Sequence, residues 1–181
     1  PLASGKVSEK EALYLGLLLG ICGVVSAWAI DWMFGLIVFA GLFFDVVIYT
    51  IWLKRRSSWS IVWGGIAGSM PILAGRYLAS GAIDWVGITL ALGILFWIPT
   101  HIMTFNIRNR ADYEKVGIPT FISRYSIAFT RKVIAACSLV AAICMGMAAI
   151  GIGMQVGYLR LLAVLSAGLI LLSINSLLKP S

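Results

Sequence analysis

The chain has 181 residues, of which 61% are hydrophobic and 12% charged, a composition that excludes an ordinary soluble domain. The formal charge of +7 does not point to nucleic acid, because the cations are placed by topology. Of the 14 Lys and Arg, all but Arg76 and Arg160 fall in alternate connections between apolar stretches. The positive-inside rule makes those connections cytoplasmic and the cell membrane the expected location. A bilayer core about 30 Å thick takes roughly 20 apolar residues per helix. Six such stretches are visible, near 12–30, 33–53, 60–79, 86–105, 127–149 and 157–178. The expected fold is therefore all-α, one transmembrane helical domain over residues 1–181. The chain opens on Pro1, without a signal peptide, and reads as an internal piece of a longer polypeptide. Cys22, Cys137 and Cys144 lie in apolar stretches without C-x-x-C spacing, the pattern of packing residues.

Residues 1–11 are polar, with Ser8 as N-cap and Glu11 at the capping-box position. Ala12–Ile30 crosses the membrane, Asp31-Trp32 turns, and Met33–Leu53 returns. This second span carries Asp45, the only carboxylate well inside an apolar stretch. Asp45, Tyr49, Trp52 and Arg56 follow i+4, i+3 and i+4 steps and share an α-helical stripe. An ionisable group inside a membrane helix is costly and functional by default. The alternative is a carboxylate satisfied by a neighbouring hydroxyl or amide. Lys54-Arg55-Arg56 satisfies topology and the helix dipole, or else clamps phosphate oxygens. In the third span, Gly64, Gly65, Gly68 and Ser69 give the small-residue spacing that brings two backbones together. Pro71 kinks that helix or frees a carbonyl.

The fourth span runs into FWIPTHIMTFNIRNRADYEKVGIPT, residues 96–120, which holds the chain's single histidine, His101. If the helix continues past the membrane edge, His101, Arg108, Asp112 and Lys115 share one face by i+7, i+4 and i+3 steps. The alternative is an amphipathic extension whose charges pair with each other in water. The last two spans are plainer and hold no carboxylate. Polar chemistry thus gathers at the cytoplasmic ends of spans two and four. Those ends, Tyr49–Arg56 and His101–Lys115, are expected to converge on one anion-accepting pocket roofing a greasy chamber. Such a layout suits an amphiphile with an anionic head and an apolar tail. A diphosphate head brings Mg²⁺, held by one or two carboxylates and the phosphates. Cations take up leaving-group charge, and Tyr49, Trp52, Phe96 or Trp97 offer aromatic faces to an allylic cation, unless they only line the interior or form an interfacial belt. Charges confined to one face disfavour a transporter.

Several strings have a known counterpart. They are Pro1-Leu2-Ala3-Ser4-Gly5, Tyr49-Thr50-Ile51-Trp52-Leu53-Lys54-Arg55-Arg56-Ser57 and Ile61-Val62-Trp63-Gly64-Gly65-Ile66-Ala67-Gly68 with Pro71. Trp97-Ile98-Pro99-Thr100-His101 follows, then Asp112-Tyr113 with Gly117-Ile118-Pro119. In this order and spacing the chain resembles the UbiA superfamily of membrane prenyltransferases, and within it the branch that farnesylates protoheme IX (heme O synthases). The resemblance covers essentially the whole chain. It implies six visible helices of a nine-helix bundle, with an active site open to the cytoplasm and the lipid. It implies farnesyl transfer from farnesyl diphosphate to a vinyl group of protoheme IX (heme b), giving heme O, with Mg²⁺ assisting diphosphate departure.

Carried over residue by residue, Lys54 and Arg55 would grip the diphosphate. Asp112 would be the catalytic and metal-binding carboxylate. Tyr49, His101, Arg108 and Lys115 would contact substrates. Three departures stand out. The first aspartate-rich motif, N-D-x-x-D-x-x-x-D, is absent, as are two leading helices and one trailing helix, so this stretch alone is expected to be inactive. Arg108 occupies the earlier acidic position of the second motif. Thr120-Phe121 replaces the usual M-L. The alternatives are a UbiA-type enzyme acting on a lipid or aromatic acceptor, and a non-catalytic heme-binding assembly protein of the membrane.

Overall fold

The computed structural model describes residues 2, 4–117 and 119–178. Pro1, Ala3 and Ile118 of the matching strings, and Lys179, lie outside them. The described residues form eight α-helices and no strand: α1 (Glu9–Ile30), α2 (Trp32–Phe43), α3 (Ser60–Ser80), α4 (Trp85–Arg108), α5 (Arg110–Val116), α6 (Phe121–Arg124), α7 (Ile127–Gly151) and α8 (Val156–Leu178). From Phe44 to Leu53, α2 continues as a ten-residue π-helix. Four stretches are long and apolar enough to cross a membrane: α1, α2 with its π-helical extension, α4 and α7. The expected third and sixth spans are present as α3 and α8. Glycines, Pro71 and Arg76 dilute the apolarity of α3, and the apolar stretch of α8 covers Val156–Leu172. The chain is an integral membrane protein.

Local chemistry explains where the helices start. Ser8 and Glu11 close a reciprocal capping box on α1, with the Glu11 amide donating to Ser8 Oγ at 3.2 Å and the Ser8 amide to Glu11 Oε2 at 2.9 Å. Asp31 ends α1 and caps α2 by accepting from the Phe34 amide at 2.9 Å. Gly81, at φ 75°, closes α3 in a left-handed conformation that costs glycine little. Asp84 then caps α4 through the Gly87 amide at 2.7 Å.

The long helices stand in an open row, α1–α2–α3–α4–α7–α8, each packed on its neighbours in that row. Burial concentrates in the middle, at Ala74 on α3, Val86 and Met103 on α4, and Ala148 and Ala149 on α7. By contrast α1 buries only Val24 and Ala27, and exposes Leu15, Leu18, Ile21 and Val25. A helix apolar on all sides and covered on one belongs against lipid or further protein.

Two prolines and two glycines set the close contacts of α3. Pro71 lacks the N–H that would bond the Ala67 carbonyl, and Pro99 does the same to Leu95. A Cβ built on Gly65 of α3 would meet the Leu95 oxygen at 3.1 Å, and one on Gly41 of α2 would meet the Ala67 oxygen at 3.7 Å. Each released carbonyl therefore faces a backbone kept bare by glycine on the adjacent helix. The small-residue pattern is a packing device, as its spacing suggests.

Candidate active site

Both α2 and α4 pack on α3, but they do not pack on each other. The wedge between them is a cavity of about 880 Å³ with largely apolar walls. Gly64 and Gly68 keep its α3 side open, and Phe34, Ile98 and Ile102 form much of the rest. Three polar side chains enter it: Asp45 and Tyr49 from the second helix and His101 from the fourth. A large apolar pocket with a few convergent polar groups is the usual form of a small-molecule site.

The π-helix decides which residues reach the chamber. Lys54 N–H donates to the Tyr49 carbonyl at 2.8 Å, an i→i−5 bond, and Lys54 Nζ stands 5.6 Å from the centre of the Tyr49 ring. In an α-helix two residues five apart diverge by roughly 140° around the axis; here they stack. The α-helical stripe expected from Asp45 to Arg56 is consequently broken. Asp45 and Tyr49 face the chamber, Trp52 lies outside its lining and is 52% exposed, and Arg56 turns into a different pocket. Gly64 accommodates the Tyr49 ring: a Cβ there would come within 3.3 Å of it. On the facing helix, Trp97 stacks on His101 at 5.4 Å between ring centres, 12° from parallel. Of the four aromatics weighed for a cation, Tyr49 alone lines the cavity.

The second expectation that changes is the continuous face from His101 to Lys115. Helix α4 stops at Arg108: Asn109 closes its last backbone bond to the Phe105 carbonyl at 3.0 Å, leaves the α region at φ −110° and ψ 26°, and adds an Nδ2 bond to the same carbonyl at 2.9 Å. The chain re-enters helix at Arg110, after the non-helical Asn109. Asp112 pairs with Lys115 at 3.7 Å, both about three-quarters exposed, and Arg110 bonds Glu114 at 2.6 Å. Arg55 and Arg108 are exposed, and neither they nor Asp112 and Lys115 line the chamber. Helix α5 is nonetheless near it, since Tyr113 lies within electrostatic reach of Tyr49. The structure thus brings Asp45, Tyr49 and His101 together in the cavity, sets Lys54 over the Tyr49 ring outside its lining, and leaves Arg55, Arg108, Asp112 and Lys115 at the same end, also outside it.

No cluster of three or more His, Cys, Asp or Glu able to hold a metal occurs among the described residues. On α5 Glu114 is bonded to Arg110 at 2.6 Å and Asp112 pairs with Lys115 across a looser 3.7 Å, which makes Asp112 the more readily released carboxylate of the two. That fits Mg²⁺ carried on a diphosphate, where one carboxylate supplements phosphate oxygens, and does not fit a cage made by protein alone.

Residues 1–180 match the UbiA prenyltransferase family. The chain belongs to that family. Among curated relatives it is 31% identical to protoheme IX farnesyltransferase 1 of Picrophilus torridus, over all of this chain and 61% of the relative. It is 39% identical to protoheme IX farnesyltransferase of Korarchaeum cryptofilum, over 77% of this chain and 48% of the relative. The Archaeoglobus fulgidus protein of the same name is 40% identical, over 67% and 43%. The chain therefore spans less than two thirds of the length of these relatives. No solved structure matches it. Within this family member, sequence reasoning did not find Tyr113 within electrostatic reach of Tyr49, nor Phe34 in the cavity wall; no spacing rule relates separate helices.

Proposed function

We propose that this UbiA-family protein takes part in farnesyl transfer from farnesyl diphosphate to protoheme IX, giving heme O. The carrying observation is the joint presence of an apolar chamber, three polar groups inside it, and a lysine stacked over Tyr49. Family membership supports the reaction class, and the names of its relatives support protoheme IX as the acceptor. In this reading the basic face is cytoplasmic, and residues 1–181 are one transmembrane domain contributing six helices to a nine-helix bundle. The farnesyl tail lies in the chamber. Lys54 and Arg55 hold the diphosphate, with Arg108 and Lys115 adding positive charge and Asp112 supplying the protein ligand to Mg²⁺. When bound, Mg²⁺ neutralises charge on the departing diphosphate. The Tyr49 ring faces the allylic carbon as positive charge develops there, and His101, steadied by Trp97, orients the heme.

Membranes containing this chain together with the first aspartate-rich motif and the remaining three helices of the nine-helix bundle, supplied with farnesyl diphosphate, heme b and Mg²⁺, are expected to accumulate heme O, detected by mass spectrometry. Folded protein that yields no heme O, while prenylating a quinone or lipid acceptor, would move it to another branch of the family. Folded protein that yields neither product would remove the transferase reading.

A further inference from the structure

A second pocket, of about 580 Å³, opens at the basic end between the chain entering α3 and the segment around α6. It shares no lining residue with the chamber. The partition is a buried core of Ile61, Met103 and Phe121, against which Ile102 and Tyr125 also pack. Ile61 and Ile102 belong to the chamber wall, and Tyr125 to the wall of the second pocket. The two spaces are therefore back to back.

The hydrogen-bonding inventory of this pocket is one-sided. Arg56 and Arg124 enter it from opposite walls, with no carboxylate in the lining and no ion pair for either among the described residues. Tyr125 Oη accepts from Trp59 Nε1 at 2.9 Å, so its own proton has to point elsewhere. Ser57 Oγ accepts the Trp59 amide at 3.1 Å and likewise keeps its proton to give. Ser58 adds a hydroxyl, while Ser123 is fully engaged with Thr120 in the cap of α6. Two guanidinium forks and three hydroxyl protons thus line one pocket that presents no carboxylate to them. Trp59 and Tyr125 are residue types that settle at headgroup depth.

We infer that this pocket binds a phosphate oxyanion, at a site separate from the prenyl chamber. Forked guanidinium donors suit phosphate in particular. The phosphate comes from an anionic lipid headgroup or from free phosphate in solution, and the site stands whether or not the transferase reading does.

Arginine footprinting with phenylglyoxal, read by mass spectrometry on the full chain, tests it. One arm adds inorganic phosphate to protein in neutral detergent. The other compares phosphatidylcholine vesicles with and without phosphatidylglycerol. Arg56 and Arg124 are expected to react several-fold more slowly with at least one probe, while Arg110, on the same face but outside the pocket, changes little. Protection by phosphate alone identifies a free anion, and protection by phosphatidylglycerol alone identifies a headgroup. Equal reactivity with and without both probes, or slowing of Arg110 to the same degree, overturns the site. As a second measurement, the double variant Arg56→Gln/Arg124→Gln should lose the phosphatidylglycerol or phosphate that native mass spectrometry finds on the wild type. Should that variant unfold, the footprint on the unmodified chain still decides.

Discussion

Where α3 turns into α4, Arg76 Nη2 lies 2.5 Å from Asp84 Oδ2, and Asp84 also caps α4. At the same end Asp31 caps α2 and lies within electrostatic reach of Tyr77 on α3. At the opposite end Lys54, Arg55, Arg56, Arg108 and Arg124 have no carboxylate partner among the described residues, and the pairs that do form are exposed ones within α5. The first end uses charge to tie α3 to α4 and to cap α2 and α4. The second leaves cations and hydroxyls unmatched, an arrangement that costs self-repulsion unless an anion arrives. One end is satisfied internally; the other is built to receive something.

The sharpest way to break this contrast is to remove charge from the open end and ask whether function falls while folding holds. In a preparation competent for prenyl transfer, Lys54→Ala and Asp112→Ala should each lower turnover by about 10²-fold or more, the scale of losing one charge-stabilising group. Melting temperature should stay near that of the wild type. Turnover near the wild-type value in either variant would return that residue to a topological or surface role. Next, Phe121→Ala removes the fully buried ring at the partition between chamber and second pocket. Loss of about 3–5 kcal/mol of stability is expected, seen as a lower melting temperature in detergent.

The closed end should respond in stability instead. The hydrogen bond from Arg76, with the Gly87 amide, holds the Asp84 carboxyl below its ordinary range. A carboxylate with a lowered folded-state pKa stabilises above its unfolded value and loses that contribution as pH falls through the folded one. Thermal melts should therefore fall as the pH drops below about 4, and Asp84→Asn should lower the melting temperature at neutral pH while flattening the Asp84 share of that acid limb. An unchanged melt at neutral pH would show that the Arg76 clasp does not hold α3 to α4. The smallest effect is expected at Asp45→Asn, which keeps the shape of a chamber-lining group that has no assigned role. A loss of only a few-fold in turnover is expected; a loss as large as that of Lys54→Ala would promote Asp45 to the chemistry.

Much of this was legible beforehand. The apolar stretches, the caps at Ser8 and Glu11, the glycine-lined contacts of α3 and the one-sided cations follow from composition and local spacing. Those rules act within about four residues or through the membrane's own symmetry. The site was legible only in part. Tyr49 and His101 could be named from their neighbours in sequence, but their facing one chamber depends on α2 and α4 both leaning on α3. The α-helical stripe through Asp45 and the extended face from His101 to Lys115 both failed for one reason: each assumed unbroken α geometry. A π-helical run and the back-bonded Asn109 changed the angular register at the points where it mattered.

Sequence by itself determined that this is a helical membrane protein, which of its ends is basic, and to which family it belongs, because apolarity, charge placement and motif order are properties of the linear chain. Tertiary structure alone decided that Lys54 covers Tyr49, that Tyr49 and His101 line one chamber, and that Arg56 and Arg124 share a pocket walled off from it. Those relations are set by helix axes and by the twist of a single π-helical segment, and side chains on separate axes have no common period to read.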